Sequence, residues 1–245
     1  MIIHEEKAGS PASIYNQGEK YMLGFYNYTV VLTYMSLASS LIGMFCTFTG
    51  HMHLAIMCLA LSGLFDTFDG KVARTKKDRS DDEKRFGIQI DSLCDIVCFG
   101  VFPVTICYHS GICSIPGMGI LVFYCLAGLI RLAYFNVMEE NRQKETEEKR
   151  KCYQGLPITS IAVILPLLYL GSAFFQQHFI LVLQCAMLIT GILFIWNFRF
   201  RKPTNKELAV LIVIVAIAVI YILVYYKWKG LFRWNWRSLS EGLEM

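Results

Sequence analysis

Residues 21–70, 86–130 and 152–198 contain no Lys or Arg. The apolar runs inside these stretches are each long enough for a membrane helix of about 20 residues. Seven spans are predicted, near residues 23–49, 52–74, 87–108, 117–138, 156–175, 178–198 and 207–226. The connections at 48–53, 108–117 and 172–178 carry no Lys or Arg, whereas those at 75–86, 139–153 and 199–206 are rich in them. Positive loops stay in the cytoplasm, so the N-terminus and the three basic loops are expected there. The seventh span breaks the alternation, because it carries Lys227, Lys229, Arg233 and Arg237 outward. It is either an appended helix or one whose tail folds back. Pro157 fits the first turn of its helix, where a missing N–H is harmless. Trp196, Trp228, Trp234 and Trp236 fall where interfacial aromatics belong. The expected fold class is all-α, a polytopic membrane helix bundle with six core transmembrane helices plus a seventh C-terminal helix. Residues 1–20 are read as an N-terminal cytoplasmic, juxtamembrane segment, 21–205 as the membrane domain and 206–245 as the appended helix and tail.

Composition agrees with a membrane setting. Of the 245 residues 55% are hydrophobic and 17% charged, against roughly 25% charged in a soluble domain. The net charge of +4 resides in loops and tails, and no basic patch interleaved with aromatics points to a nucleic-acid partner. Residues 1–20 are polar and lack the apolar core and cleavage site of a signal peptide. Nine cysteines are scattered with no C-x-x-C pair, which argues for buried thiols over a zinc site or a disulfide framework. His51, His53, His109 and His178 map to the outer face and read as interfacial polar residues.

The acidic residues change the picture. Fifteen of nineteen lie in termini or cytoplasmic loops, and the other four, Asp66, Asp69, Asp91 and Asp95, lie inside apolar spans. A carboxylate in a membrane helix costs about 2.5–3.5 kcal/mol even on the lenient insertion scale, so such groups face the bundle interior and meet cations there. The second span runs inward to Arg74, which places Asp69 and Asp66 about 8 and 12 Å from its end at 1.5 Å per residue. The third runs outward from Gly87, which places Asp91 and Asp95 about 6 and 12 Å in. The two pairs therefore face each other at matching depth, and spacings of three and four keep each pair on one helix face. Four converging carboxylates suit hard cations such as Mg²⁺ or Mn²⁺, often shared with substrate phosphates. Intramembrane acids also serve as the proton relay or ion path of a transporter. Transporter sites, however, tend to lie at the midplane between inverted repeats, whereas these acids cluster near one face and no repeat is visible.

The spacing itself is informative. DTFDGKVAR from Asp66, followed by GIQIDSLCD from Gly87, resembles the signature of the CDP-alcohol phosphatidyltransferase family, D-x2-D-G-x2-A-R then G-x3-D-x3-D. Asp66, Asp69, Gly70, Ala73, Arg74, Gly87, Asp91 and Asp95 fill every fixed position, although the linker 75–86 has twelve residues where the family has about eight. It reads as a solvated extension of the cytoplasmic loop. The resemblance implies that Asp66, Asp69, Asp91 and Asp95 hold two divalent cations, Mg²⁺ or Mn²⁺, on the pyrophosphate of a CDP-lipid. It implies nucleotide contacts at Asp69, Gly70, Ala73, Arg74 and Gly87, and a general-base role for Asp95 alongside metal ligation. It further implies a homodimer in the cell membrane, with the active site near the cytoplasmic face.

The second half of the chain bears on the acceptor alcohol. Asp95 to Pro103 resembles the D-x-V-S-F-G-x-x-P stretch of the serine-accepting branch of that family, with Cys98 in place of Ser. Arg131 to Val137 is similar to its R-L-A-R-F-N-V, with Tyr134 in place of the second Arg, and Tyr153 to Pro157 matches Y-x-G-L-P. The first helix matches loosely, with Ser36 near the family's usual Asn. Arg131 is the only cation within the fourth span, about 12 Å from Glu139 and so at the depth of the aspartates. It either balances them or grips the carboxylate of an acceptor. The expected partners are CDP-diacylglycerol, L-serine and the lipid bilayer. Glycerol 3-phosphate or an inositol phosphate is the alternative acceptor, but a phosphate calls for several clustered cations where only Arg131 stands out.

Overall fold

A computed structural model describes residues 28–73, 75–76, 80–145, 152–172, 178–201 and 204–241. After a short turn at Tyr28–Val30 come α1 (Val31–Phe48) and α2 (Met52–Ala73). Next are α3 (Asp81–Asp95), a wider π segment (Ile96–Val101) and α4 (Phe102–His109), stacked as one long rod. Then follow α5 (Ile115–Glu145), β1 (Cys152–Gln154), α6 (Ile161–Leu170), α7 (Phe179–Ile195), β2 (Arg199–Arg201) and α8 (Asn205–Glu241). The chain is an all-α polytopic bundle. Five helices are long and apolar enough to cross a membrane, at Val31–Phe48, Met52–Val72, Asp82–His109, Ile115–Asn141 and Lys206–Tyr225. Two shorter apolar helices, Ile158–Leu170 and Phe179–Ile195, complete the seven.

Several bounds move from their expected places. The third helix starts at Asp81 rather than near residue 87, so half of the supposed solvated linker is helix. Ser80 Oγ accepts from the Glu83 backbone N–H at 3.1 Å while Glu83 Oε2 accepts from the Ser80 N–H at 3.3 Å. This reciprocal cap satisfies donors that a helix start leaves orphaned. Lys76 Nζ adds an ion pair to Glu83 at 3.1 Å. The fifth span, expected over 156–175, is helical between 158 and 170, and residues 173–177 lie outside the described ones. The seventh continues unbroken to Glu241, a rise of about 55 Å at 1.5 Å per residue. It packs against α2 and α6 through Val215, Ala218, Val219 and Ile222. The ribbon of β1 with β2, which pairs Cys152 with Arg201 and Gln154 with Arg199, was not foreseen.

α1 is inside out relative to a soluble helix. Thr33, Ser36, Ser39, Ser40, Gly43 and Thr47 face the bundle, while Tyr34, Met35, Leu41, Ile42, Phe45 and Phe48 are exposed. Lipid is as apolar as Leu, so membrane helices associate through small residues and interhelical hydrogen bonds instead. Ser36 Oγ lies 2.7 Å from Ser62 Oγ, Ser40 Oγ donates to Ser62 Oγ at 2.9 Å, and Ser39 Oγ donates to the Cys58 carbonyl at 2.9 Å. These bonds seal α1 against α2.

The π segment has a chemical cause. Pro103 has no N–H to offer the Phe99 carbonyl four residues earlier, and its ring crowds that carbonyl. The helix widens just before the proline, and the buried Tyr124 on α5 donates its hydroxyl to the Phe99 carbonyl at 2.6 Å. The seat of Asp95, one residue before the wide turn, is thereby locked to α5.

Candidate active site

Helix spacing sets the acids on one surface and antiparallel packing brings them together. Asp66, Asp91 and Asp95 each present a carboxylate oxygen within 4.8 Å of the others. Among the described residues this is the only group of three or more such side chains close enough to share a metal ion. Asp69, three residues past Asp66 in α2, borders the trio on the same helix face. Carboxylates this close repel unless a proton or cation lies between them. The four predicted acids therefore do converge.

Asp69 differs from the other three. It is 8% exposed, and its Oδ2 accepts a hydrogen bond from Thr33 Oγ1 at 3.1 Å. α1, which contributes no acid, thus orients one of the four carboxylates. Other threonines in these helices bond back to their own backbone. Thr47 Oγ1 donates to the Gly43 carbonyl at 2.9 Å, and Thr67 Oγ1 to the Gly63 carbonyl at 2.7 Å. Both follow the usual i−4 habit of a threonine in a helix. Sequence alone does not separate Thr33 from them.

Of the other predicted residues, Gly70 is exposed, and a Cβ there would meet nothing within 4 Å. Packing does not require the glycine, which keeps open the flank next to Asp69. Ala73 ends α2, Gly87 lies in α3 one turn before Asp91, and Arg74 lies outside the described residues. Tyr28 Oη and Thr75 Oγ1, 3.1 Å apart, join the start of α1 to the chain just past α2. Ser92, beside Asp91, donates to Asn136 Oδ1 on α5 at 2.9 Å. From that bond Asp95 lies about 4.5 Å further in along α3, and Arg131 about 7.5 Å further in along α5. Asp95 and Arg131 thus sit within a helical turn of the same level. The four outer histidines lie at the opposite end of the bundle, with His51 and His53 at the start of α2, His109 ending α4 and His178 preceding α7.

Residues 26–196 match the sequence profile described as CDP-alcohol phosphatidyltransferase. The chain belongs to the CDP-alcohol phosphatidyltransferase family. Among similar proteins, the CDP-diacylglycerol--serine O-phosphatidyltransferase of Saccharomyces cerevisiae is 38% identical over 128 residues, covering 50% of this chain and 45% of that protein. The protein of the same name from Methanocaldococcus jannaschii is 32% identical over 146 residues, covering 60% of this chain and 63% of the relative. An archaetidylserine synthase of Methanothermobacter thermautotrophicus is 30% identical over 166 residues, 66% of each chain. The chain thus spans about half to two thirds of the length of these relatives.

Two positions where this member of the family departs from the serine-accepting pattern can now be placed. Cys98 is wholly buried and accepts from Ser36 Oγ at 3.7 Å. It joins the α1–α2 hydroxyl network in the place where a serine would. Tyr134 is 55% exposed on α5 and so points away from the bundle core.

Proposed function

We propose that this protein transfers the phosphatidyl group of CDP-diacylglycerol to the hydroxyl of L-serine, forming phosphatidylserine and releasing CMP. The observation that carries the chemistry is the set of carboxylate oxygens from α2 and α3 within 4.8 Å of one another. Ligand oxygens on one hard cation, at about 2.0–2.6 Å from it, are no more than about 5 Å apart, so the donor set fits. Asp66, Asp91 and Asp95 would hold one such cation, and Asp69, braced by Thr33, would help hold a second. Bound there, Mg²⁺ or Mn²⁺ neutralises charge on the pyrophosphate and on the departing CMP.

The chain's own groups complete the step. The open flank at Gly70, with Ala73, Arg74 and Gly87, admits the cytidine and its phosphates next to the backbone. Asp95 accepts the proton of the serine hydroxyl as its oxygen bonds to the lipid-bearing phosphorus. The bond from that phosphorus to the CMP oxygen breaks, and CMP leaves with the electron pair. Arg131 grips the serine carboxylate, which distinguishes serine from a plain alcohol. Serine as acceptor is supported by the names of the similar proteins and by the single cation at this depth. The basic loops 75–86 and 139–153 support a site near the cytoplasmic face of the cell membrane. A homodimer, the assembly that the family implies, is tested by cross-linking in the bilayer.

The test is CMP release by purified enzyme given CDP-diacylglycerol, Mn²⁺ and a panel of alcohols. Serine supports release, while glycerol 3-phosphate and inositol phosphate do not. Release driven only by a phosphorylated acceptor would overturn the serine assignment and leave the transfer chemistry standing.

A further inference from the structure

Gly155 sits between β1 and α6 in left-handed backbone, with φ at 69°. Its N–H donates to the Phe198 carbonyl at 2.8 Å, and the next N–H, of Leu156, donates to the Leu193 carbonyl at 3.1 Å. Those two bonds clamp the loop onto the end of α7. A Cβ built on Gly155 would lie 2.7 Å from Arg131 Nη1, 3.1 Å from the Phe194 carbonyl oxygen and 3.2 Å from the Trp196 carbonyl oxygen. The guanidinium and the last carbonyls of α7 thus converge on the space that a side chain would fill. A cation near the C-terminal carbonyls of a helix is in a favourable field. Two requirements fall on one residue, a positive φ and an empty Cβ position, and glycine alone meets both without strain.

We propose that Gly155 is a positioning residue for acceptor recognition, because its missing side chain lets Arg131 rest against the loop and the end of α7. This rests on Arg131 binding the acceptor carboxylate, as argued above. Seated against the loop, the guanidinium is limited in its tilt, and a bidentate grip on a carboxylate depends on its plane. A methyl at residue 155 displaces Nη1 and tilts the fork. The loop from β1 to α6 therefore acts on serine affinity without touching serine.

The experiment measures serine and CDP-diacylglycerol kinetics for Gly155→Ala, Arg131→Lys and their combination, in full-length protein with saturating Mn²⁺. Gly50 supplies the control for backbone strain. Its φ is 79°, and nothing lies within 4 Å of its Cβ position, at the end of the bundle away from the acids. Gly155→Ala raises the serine KM about tenfold, the worth of one charge-assisted hydrogen bond. The donor KM stays put, and Gly50→Ala changes neither. Combining Gly155→Ala with Arg131→Lys raises the serine KM no further than Arg131→Lys alone, since both act through one contact. If Arg131→Lys raises the serine KM and Gly155→Ala does not, the positioning role is overturned while the function of Arg131 stands. If neither moves it, the acceptor role of Arg131 falls and the inference falls with it. Should Gly155→Ala fail to fold, the double variant decides, because the slimmer lysine vacates the space. A folded double variant with the serine KM of Arg131→Lys supports the proposal. A double variant that also fails to fold overturns it, since the glycine then serves the α7 carbonyls alone.

Discussion

The carboxylates on α2 and α3 and the guanidinium on α5 sit at similar depth, yet the chain holds them by different means. Asp66 on α2 meets Asp91 and Asp95 on α3, through side chains whose spacing is written along each helix. Arg131 instead lies against the backbone of Gly155, contributed by chain more than twenty residues away in sequence. The acid wall therefore depends on the identity of four side chains. The cation wall depends on the path of a loop. On the proposed function, damage to the first removes the chemistry, whereas damage to the second loosens one substrate.

The largest effect expected is on the acid wall. Asp66→Asn removes a charge from the trio and abolishes both CDP-diacylglycerol binding and CMP release, as does excess chelator on the wild type. Calorimetry and CMP release on the same preparation check it, and full activity in chelator would break the metal assignment. Asp95→Asn keeps part of its donor affinity, since Asp66 and Asp91 still hold the cation, but loses turnover by about 10²–10⁴, the usual worth of general-base help. If it loses donor binding as completely as Asp66→Asn, metal ligation is the whole of its role and the base assignment falls.

The cation wall should respond more weakly. Arg131→Lys keeps donor binding and raises the serine KM about tenfold, because an ammonium cannot reproduce a bidentate grip. An unchanged serine KM with weakened donor binding would move Arg131 to the acid wall as its counter-charge.

The smallest effect sharpens the comparison within the acid wall. Thr33→Val deletes the donor to Asp69 while keeping the shape, and raises the Mn²⁺ concentration for half-maximal activity about tenfold or less. Thr33→Ser restores the wild-type value. If Thr33→Val leaves the Mn²⁺ dependence unchanged, the bond from α1 merely packs the helices.

The two walls also differ in how far the sequence reveals them. Carboxylates in apolar spans are too costly to be incidental, so Asp66, Asp69, Asp91 and Asp95 stand out from their positions along the chain alone. The alternation of basic and neutral loops likewise separates the spans. The earlier start of α3 is legible in principle, because Ser80 and Glu83 form the S-x-x-E pattern of a reciprocal cap. The run of loop charges around them masks it. Thr33 gives no such signal, since Thr47 and Thr67 show what a threonine in these helices does by default. The contact of Arg131 with Gly155 is hidden for a different reason. It depends on a backbone turn and on where α7 ends, and neither has a residue-spacing signature.

The central claim is that the four aspartates hold the divalent cations on which the CDP-lipid pyrophosphate docks. The most direct test counts Mn²⁺ bound to the purified protein by electron paramagnetic resonance, with and without CDP-diacylglycerol, in the wild type and in Asp66→Asn. Saturable Mn²⁺ binding is expected in the wild type, tightening with the lipid nucleotide and lost in Asp66→Asn. Equal Mn²⁺ binding by both proteins, or binding indifferent to the lipid nucleotide, would contradict it.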